Sequence, residues 1–231
     1  MVEWLLSGDR LLARLVPFTG AETPDFDCER FGDGFWGQPI NSVTSLAFVA
    51  AGMAIAKQAD RSPRLVYASL VGATGIGSVV QHGPNPSWAD LAHDLPLVAL
   101  IAFVAADATA DVTGRHLPSV WWVAPSLVLV PVILMAPGAA DASQVVLAAV
   151  AIGMSLLRVR LRPAWRRTIL TSMALLAVGG TLGTLSRSGW PWCRPDSLVQ
   201  GHAVWHVLAA VALWRLTPAI GHIGQRVGSA S

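Results

Sequence analysis

Charge is scarce in this chain: only 13% of its 231 residues are Asp, Glu, Lys or Arg, about half the share of an ordinary soluble domain. Lysine is nearly absent, Lys57 being the single one. The formal net charge of +2 is small and scattered, which argues against a nucleic-acid partner. No internal repeat, low-complexity tract or second domain is evident. A cleavable secretory signal is not expected either, because Glu3 and Asp9 interrupt the first apolar run and no small-residue cleavage site follows. What remains is apolar. Hydrophobic residues make up 53% of the chain, and the mean hydropathy is +0.53. A surface built from such residues is poorly solvated by water, so the expected solvent is a lipid bilayer.

Apolar stretches near the length that a hydrocarbon core of about 30 Å requires, roughly 20 helical residues, recur at 40–57, 63–83, 91–112, 117–136, 142–159, 165–186 and 200–217. The fifth is among the shortest, with the first and seventh. Connections carry turn chemistry, as in Gly83-Pro84-Asn85-Pro86 and Ala136-Pro137-Gly138. The expected fold is an all-α membrane protein, a seven-transmembrane-helix bundle over 40–217 with an extracytoplasmic segment 1–39 and a cytoplasmic tail 218–231. Within 1–39, Leu5, Leu12, Leu15 and Val16 can share one face of a short interfacial helix. A poorly ordered N-terminus fits those residues equally well.

Basic residues set the expected orientation. Eleven of the sixteen fall in the odd-numbered loops and the C-terminal tail, among them Arg115, Arg158, Arg160, Arg162, Arg166 and Arg167. Five fall on the opposite side. Positive charge stays inside, so the N-terminus is expected outside and the C-terminus in the cytoplasm. Trp36, Trp88, Trp190 and Trp192 then sit near the outer boundary, and Trp121, Trp122, Trp165 and Trp214 near the inner one, as interfacial aromatics do. The short loops and arginine-rich composition suggest a bacterial cytoplasmic membrane.

Against this background three polar clusters stand out. Ser78 and His82 close the second span, His93 and Asp94 open the third, and His202 and His206 open the seventh. Counting crossings from an outside N-terminus puts all three at the outer face. Residues four apart on a helix share a face and lie about 6 Å apart along its axis. His202 and His206 thus form a two-ligand clip, and Ser78 lies one turn deeper than His82. Three neutral imidazoles with one coordination position left to water is the arrangement of a catalytic zinc. The clip differs from a soluble metalloprotease signature, which places Glu directly after the first His; here Ala203 follows His202. Asp94 is the expected proton-transfer group, with Asp90 and His93 as candidates to share its role. As a helix-terminal carboxylate, Asp94 could equally complement the macrodipole. Ser78 is the expected oxyanion donor, though small residues at Gly75, Gly77 and Ser78 also permit close helix packing.

The ordered set Ser78-x3-His82, an Asp at the start of the third helix and His202-x3-His206 resembles the alkaline ceramidase family. That family belongs to a superfamily of seven-helix membrane hydrolases that includes the adiponectin and progestin receptors. Asp27-Cys28-Glu29-Arg30, Phe35-Trp36, Pro39-Ile40-Asn41-Ser42-Val43-Thr44-Ser45 and Cys193-Arg194-Pro195-Asp196-Ser197 add to the likeness, which extends from residue 25 to 206. The resemblance implies zinc on His82, His202 and His206, with Asp94 moving protons and Ser78 steadying the tetrahedral intermediate. The implied reaction cleaves the amide of a lipid such as ceramide into a fatty acid and a sphingoid base. Relatives often carry the Asp two residues before Leu-Pro, where this chain has His93. The resemblance further implies calcium on Asp25, Asp27 and Glu29, although Gln38 stands where a further carboxylate is expected. It also implies a disulfide between Cys28 and Cys193, both on the outer side, where an oxidising compartment favours one; two free thiols are the alternative. The expected partners are the lipid substrate and membrane lipids, with no obligate protein partner. Two readings compete with amide hydrolysis: cleavage of another acyl lipid by the same chemistry, and a receptor-like protein whose metal is structural.

Overall fold

A computed structural model of the chain describes residues 27–223. The expected interfacial helix, Asp25 and most of the C-terminal tail lie outside the described residues. Those described form seven α-helices and two short 3-10 turns, with no strand among them. The helices are α1 (Pro39–Lys57), α2 (Ser62–His82), α3 (Ala89–Thr113), α4 (Val120–Met135), α5 (Pro137–Leu161), α6 (Arg166–Leu185) and α7 (Gly201–Leu216). Each lies where an apolar stretch was expected. Five of them, α1, α2, α3, α5 and α6, are long and apolar enough to cross a membrane. The other two, α4 and α7, have 16 residues each, about 24 Å at 1.5 Å per residue.

One boundary corrects the sequence reading. The fifth helix, expected to be among the shortest, is a 25-residue helix that begins at Pro137. Ala136-Pro137-Gly138 carries turn chemistry, but a proline in the first helical position breaks nothing. Its missing N–H would have been unpaired there, and its fixed φ already suits a helix. The helix therefore absorbs Asp141, which lies just outside the expected stretch 142–159.

Packing places α3 in the interior, against α2, α4 and α5, while α1 packs on α2 and α7, and α7 on α6. Tyr67, Ile55, Val71 and Ile169 are fully buried at the centre, and the Tyr67 hydroxyl donates to the Leu213 carbonyl at 2.9 Å. The outward faces are apolar too. Leu127, Val128, Val145 and Val146 are all more than 60% exposed, which would be costly in water and is consistent with a membrane protein. Exposed tryptophans mark both ends, Trp36, Trp88 and Trp192 at one and Trp121 and Trp214 at the other.

Two close approaches fix the end of the bundle that carries the polar clusters. Pro96 has no N–H, so the Ala92 carbonyl lacks its usual helical donor. Gly77 of α2 meets that carbonyl and the Cα of His93, and any Cβ there would collide with the carbonyl. Gly201 likewise admits the Ser186 side chain at the end of α6. The residues next to these glycines, Ser78 and His202, are thereby carried close to neighbouring helices.

Candidate metal centre

His82 comes from the last turn of α2, and His202 and His206 from the first two turns of α7. Potential ligand atoms of the three imidazoles all lie within 4.8 Å of one another, close enough to hold one metal ion. Their ring centroids are 4.5 Å apart for His202 and His206, 5.0 Å for His82 and His202, and 5.1 Å for His82 and His206. Among the described residues this is the one such group of three His, Cys, Asp or Glu side chains.

Each imidazole has an oxygen partner at Nδ1. For His82 it is Gln38 Oε1, at 2.7 Å. The Gln38 amide is oriented by its own Nε2, which donates to the Glu29 carbonyl at 2.7 Å, so its oxygen faces the ring. For His202 it is Asp27, whose Oδ1 stands 3.2 Å from Nδ1. For His206 it is a pair of hydroxyls, Thr44 Oγ1 at 3.2 Å and Ser45 Oγ at 3.4 Å. Both hydroxyls donate their own protons to carbonyls of α1, Thr44 to Ile40 and Asn41 and Ser45 to Asn41. Their lone pairs therefore face Nδ1. Three different acceptors thus favour the same tautomer, with the proton on Nδ1 and the lone pair on Nε2. The Nε2 atom of His82 is buried and has no hydrogen-bond partner, which leaves it free for an ion. Metal-binding histidines characteristically donate through the other nitrogen in this way, so the residues fit a metal.

Ser78 is buried beside the triad, with Oγ 3.4 Å from His206 Nε2 and 2.8 Å from Ser45 Oγ. Because the Ser45 proton is already committed, Ser78 is the donor of that pair. Asp94 pairs with its neighbour, Oδ1 lying 2.8 Å from His93 Nδ1. His93 is near enough to be felt electrostatically by all three histidines. Asp90 accepts from Gln81 at 3.1 Å.

The N-terminal segment reaches the site through a disulfide between Cys28 and Cys193. Two of the three expected calcium ligands, Asp27 and Glu29, lie among the described residues, each with partners within the chain. Glu29 is buried, and its two carboxylate oxygens accept the Ile40 and Asn41 N–H groups at 2.7 and 2.8 Å. It thereby caps the N-terminus of α1 from about ten residues upstream. Burial raises the Glu29 carboxyl above its ordinary value, although those two N–H groups act to lower it. Asp27 faces the histidines.

Sequence reasoning missed the roles of Gln38, Thr44 and Ser45. A signal was present: Asn41, Ser42, Thr44 and Ser45 crowd polar groups into the first two turns of an otherwise apolar helix, where such groups ordinarily serve a site. No protein-family model matches the chain, and no curated protein does. The chemistry of the centre therefore rests on its own geometry.

Proposed function

We propose that this protein is a seven-span membrane hydrolase that cleaves lipid amides at a zinc site held by His82, His202 and His206, with ceramide the reference substrate. The observation that carries the reading is the common tautomer of the three imidazoles, which offers one ion three neutral nitrogen donors. Three such ligands, with Asp27 at Nδ1 of His202, leave a fourth place open, as in catalytic zinc sites. A zinc ion there would polarise the scissile carbonyl and lower the pKa of a coordinated water to about 7.

The remaining work falls to the chain's own groups. Ser78 Oγ–H, bonded to Ser45 at rest, can turn to donate to the oxygen on which negative charge develops. The Asp94–His93 pair can take up a proton and return it to the leaving amine nitrogen.

Several observations support a site at the outer membrane face. The histidines lie at the end of the bundle where α2 finishes and α3 and α7 begin, and Arg158, Arg160, Arg162, Arg166 and Arg167 cluster where α5 finishes and α6 begins. The positive-inside rule assigns that arginine end to the cytoplasm. Both cysteines are bonded to each other, so a single cysteine introduced at Gly189 or at Gly114 would be a unique thiol. In intact cells a membrane-impermeant maleimide should label the first and spare the second. The opposite pattern would reverse the orientation.

The function is tested on purified protein, by its metal content and by chelator-sensitive release of fatty acid from ceramide, other acyl amides and acyl esters. Bound zinc with release from amides is the expected result, and His206→Ala should abolish both. Release from esters alone would shift the substrate class. Zinc without any hydrolysis would favour a structural, receptor-like metal site, and an intact protein that binds no metal would remove the enzyme reading.

A further inference from the structure

Of the three groups that fix the imidazoles, two are neutral and belong to or directly precede α1: Gln38 at His82 and the Thr44–Ser45 hydroxyls at His206. The third, Asp27, is charged and lies outside the helices. Its Oδ1 is 3.2 Å from Nδ1 of His202 and its Oδ2 is 3.8 Å from Nδ1 of His82, so one carboxylate spans two of the three candidate ligands.

The backbone just after Asp27 is fixed on two sides. Cys28 is wholly buried and bonded to Cys193, in the connection that leads into His202. Glu29 is committed to the N-terminus of α1. An ion pair between Arg30 and Asp196 at 3.2 Å repeats the tie on the surface. The disulfide therefore joins the residue next to Asp27 to the segment that leads into the histidine it faces.

We propose that Asp27 is a positioning residue of the metal centre, the one carboxylate among the described residues paired with its imidazoles, and that the Cys28–Cys193 disulfide sets metal affinity by holding it there. The proposal rests on reading the triad as a metal site. A carboxylate behind an imidazole fixes the tautomer and strengthens the ring as a donor, and losing such a partner lowers metal affinity about 10- to 100-fold. The negative charge also offsets part of the charge of a divalent ion in a poorly solvated place.

The test is zinc affinity of the full-length protein in detergent, measured by competition with a chromophoric chelator. Absorption of the cobalt-substituted protein provides a second readout. Asp27→Ala should weaken zinc binding about 10- to 100-fold, and Asp27→Asn, which keeps an acceptor oxygen but no charge, should fall between it and the wild type. In both variants the metal-free protein should melt at the wild-type temperature. The Cys28→Ser/Cys193→Ser double variant should lose affinity to a similar extent, and adding Asp27→Ala to it should cost little more. Wild-type affinity in both Asp27 variants would overturn the proposal. Independent, multiplying losses from Asp27 and the disulfide would overturn the coupling between them. Should the double cysteine variant not fold, the two Asp27 variants decide the matter alone. A wild-type protein that binds no zinc would instead defeat the metal reading itself.

Discussion

Gln38 holds His82 at two points: its backbone N–H donates to the His82 carbonyl at 2.7 Å, and its Oε1 lies 2.7 Å from His82 Nδ1. The last turn of a helix leaves carbonyls without helical donors, and here the residue preceding α1 satisfies one of them. The same residue then sets the ring that α2 presents to the site. One residue thus couples the end of α2 to the start of α1 and fixes a candidate metal ligand in the process.

Replacing Gln38 with Ala should therefore act on the metal before it acts on the fold. The backbone bond survives the change, but His82 Nδ1 loses its nearest acceptor and the ring is free to rotate. Zinc affinity should fall about 10- to 100-fold, as read by chelator competition, while the helical content measured by circular dichroism stays at the wild-type level. Unchanged affinity would mean that Gln38 does not orient a ligand.

Ser78 makes a different prediction, because its hydroxyl stands 3.4 Å from a ligand nitrogen yet is bonded to Ser45. Ser78→Ala should leave zinc content near the wild-type level and lower turnover of a lipid amide. Loss of one oxyanion donor costs about 10²- to 10³-fold in kcat. Such a fall with little change in KM is the expected pattern. A variant that loses zinc and activity together would make Ser78 a support of the site rather than a donor to the reaction.

The helices and the triad were legible for related reasons. A bilayer demands long apolar runs, so the seven stretches stand out, and a histidine inside such a run is conspicuous. His202 and His206 announce a shared face by their spacing, and counting crossings brings His82 to the same depth. The partners of those rings were not legible. Asp27 and Gln38 lie more than forty residues from the histidines they face, in a segment with no periodic pattern, and they are brought in by the disulfide, the Arg30–Asp196 ion pair, the cap made by Glu29 and the Gln38 N–H bond to His82. Asp27 and Glu29 look alike in sequence, and it is the fold that points them in different directions, Glu29 to the start of α1 and Asp27 to the histidines. Pro137 lies at the expected connection and also begins the next helix, a double role that its sequence context does not reveal.

Glu29 offers a prediction in pH. Its carboxyl is raised above its ordinary value of 4.5, chiefly by burial. A carboxyl raised in the folded state binds its proton more tightly there than in the unfolded chain. The contribution to stability is thus complete below pH 4.5 and declines as pH climbs from there through the folded-state value. Glu29→Gln removes the titration but keeps an oxygen that can accept from one of the two N–H groups of α1. Between pH 4 and 8, the difference in thermal midpoint between wild type and Glu29→Gln should shift in favour of the variant as pH rises, then level off. Parallel melting curves across that range would show that Glu29 is ionised at no cost.

The far end of α3 carries a second polar cluster, which should govern stability and leave the metal alone. Arg158, with 3% of its side chain exposed, donates to Asp111 and to Asp107, the latter at 3.0 Å. Arg162 reaches Asp111 at 3.1 Å. The other Asp107 oxygen accepts the Gly221 N–H at 2.8 Å, so the segment after α7 is tied into the same network. The cluster balances two arginines against two aspartates, and the length of α3 from Asp94 to Asp111, about 25 Å at 1.5 Å per residue, separates it from the histidines. Arg158→Met leaves Arg162 on Asp111 and deprives Asp107 of its arginine partner. Removing one member of a buried ion pair costs about 3–5 kcal/mol, because the charge left behind is uncompensated. Changing Asp107 and Asp111 to Asn in the same chain takes that charge away. The triple variant should therefore unfold at a higher temperature than Arg158→Met alone, with zinc affinity at the wild-type level in both. If the two variants melted together, the cost would lie in the lost packing of the arginine stem, and the balance of charge would have no part in it.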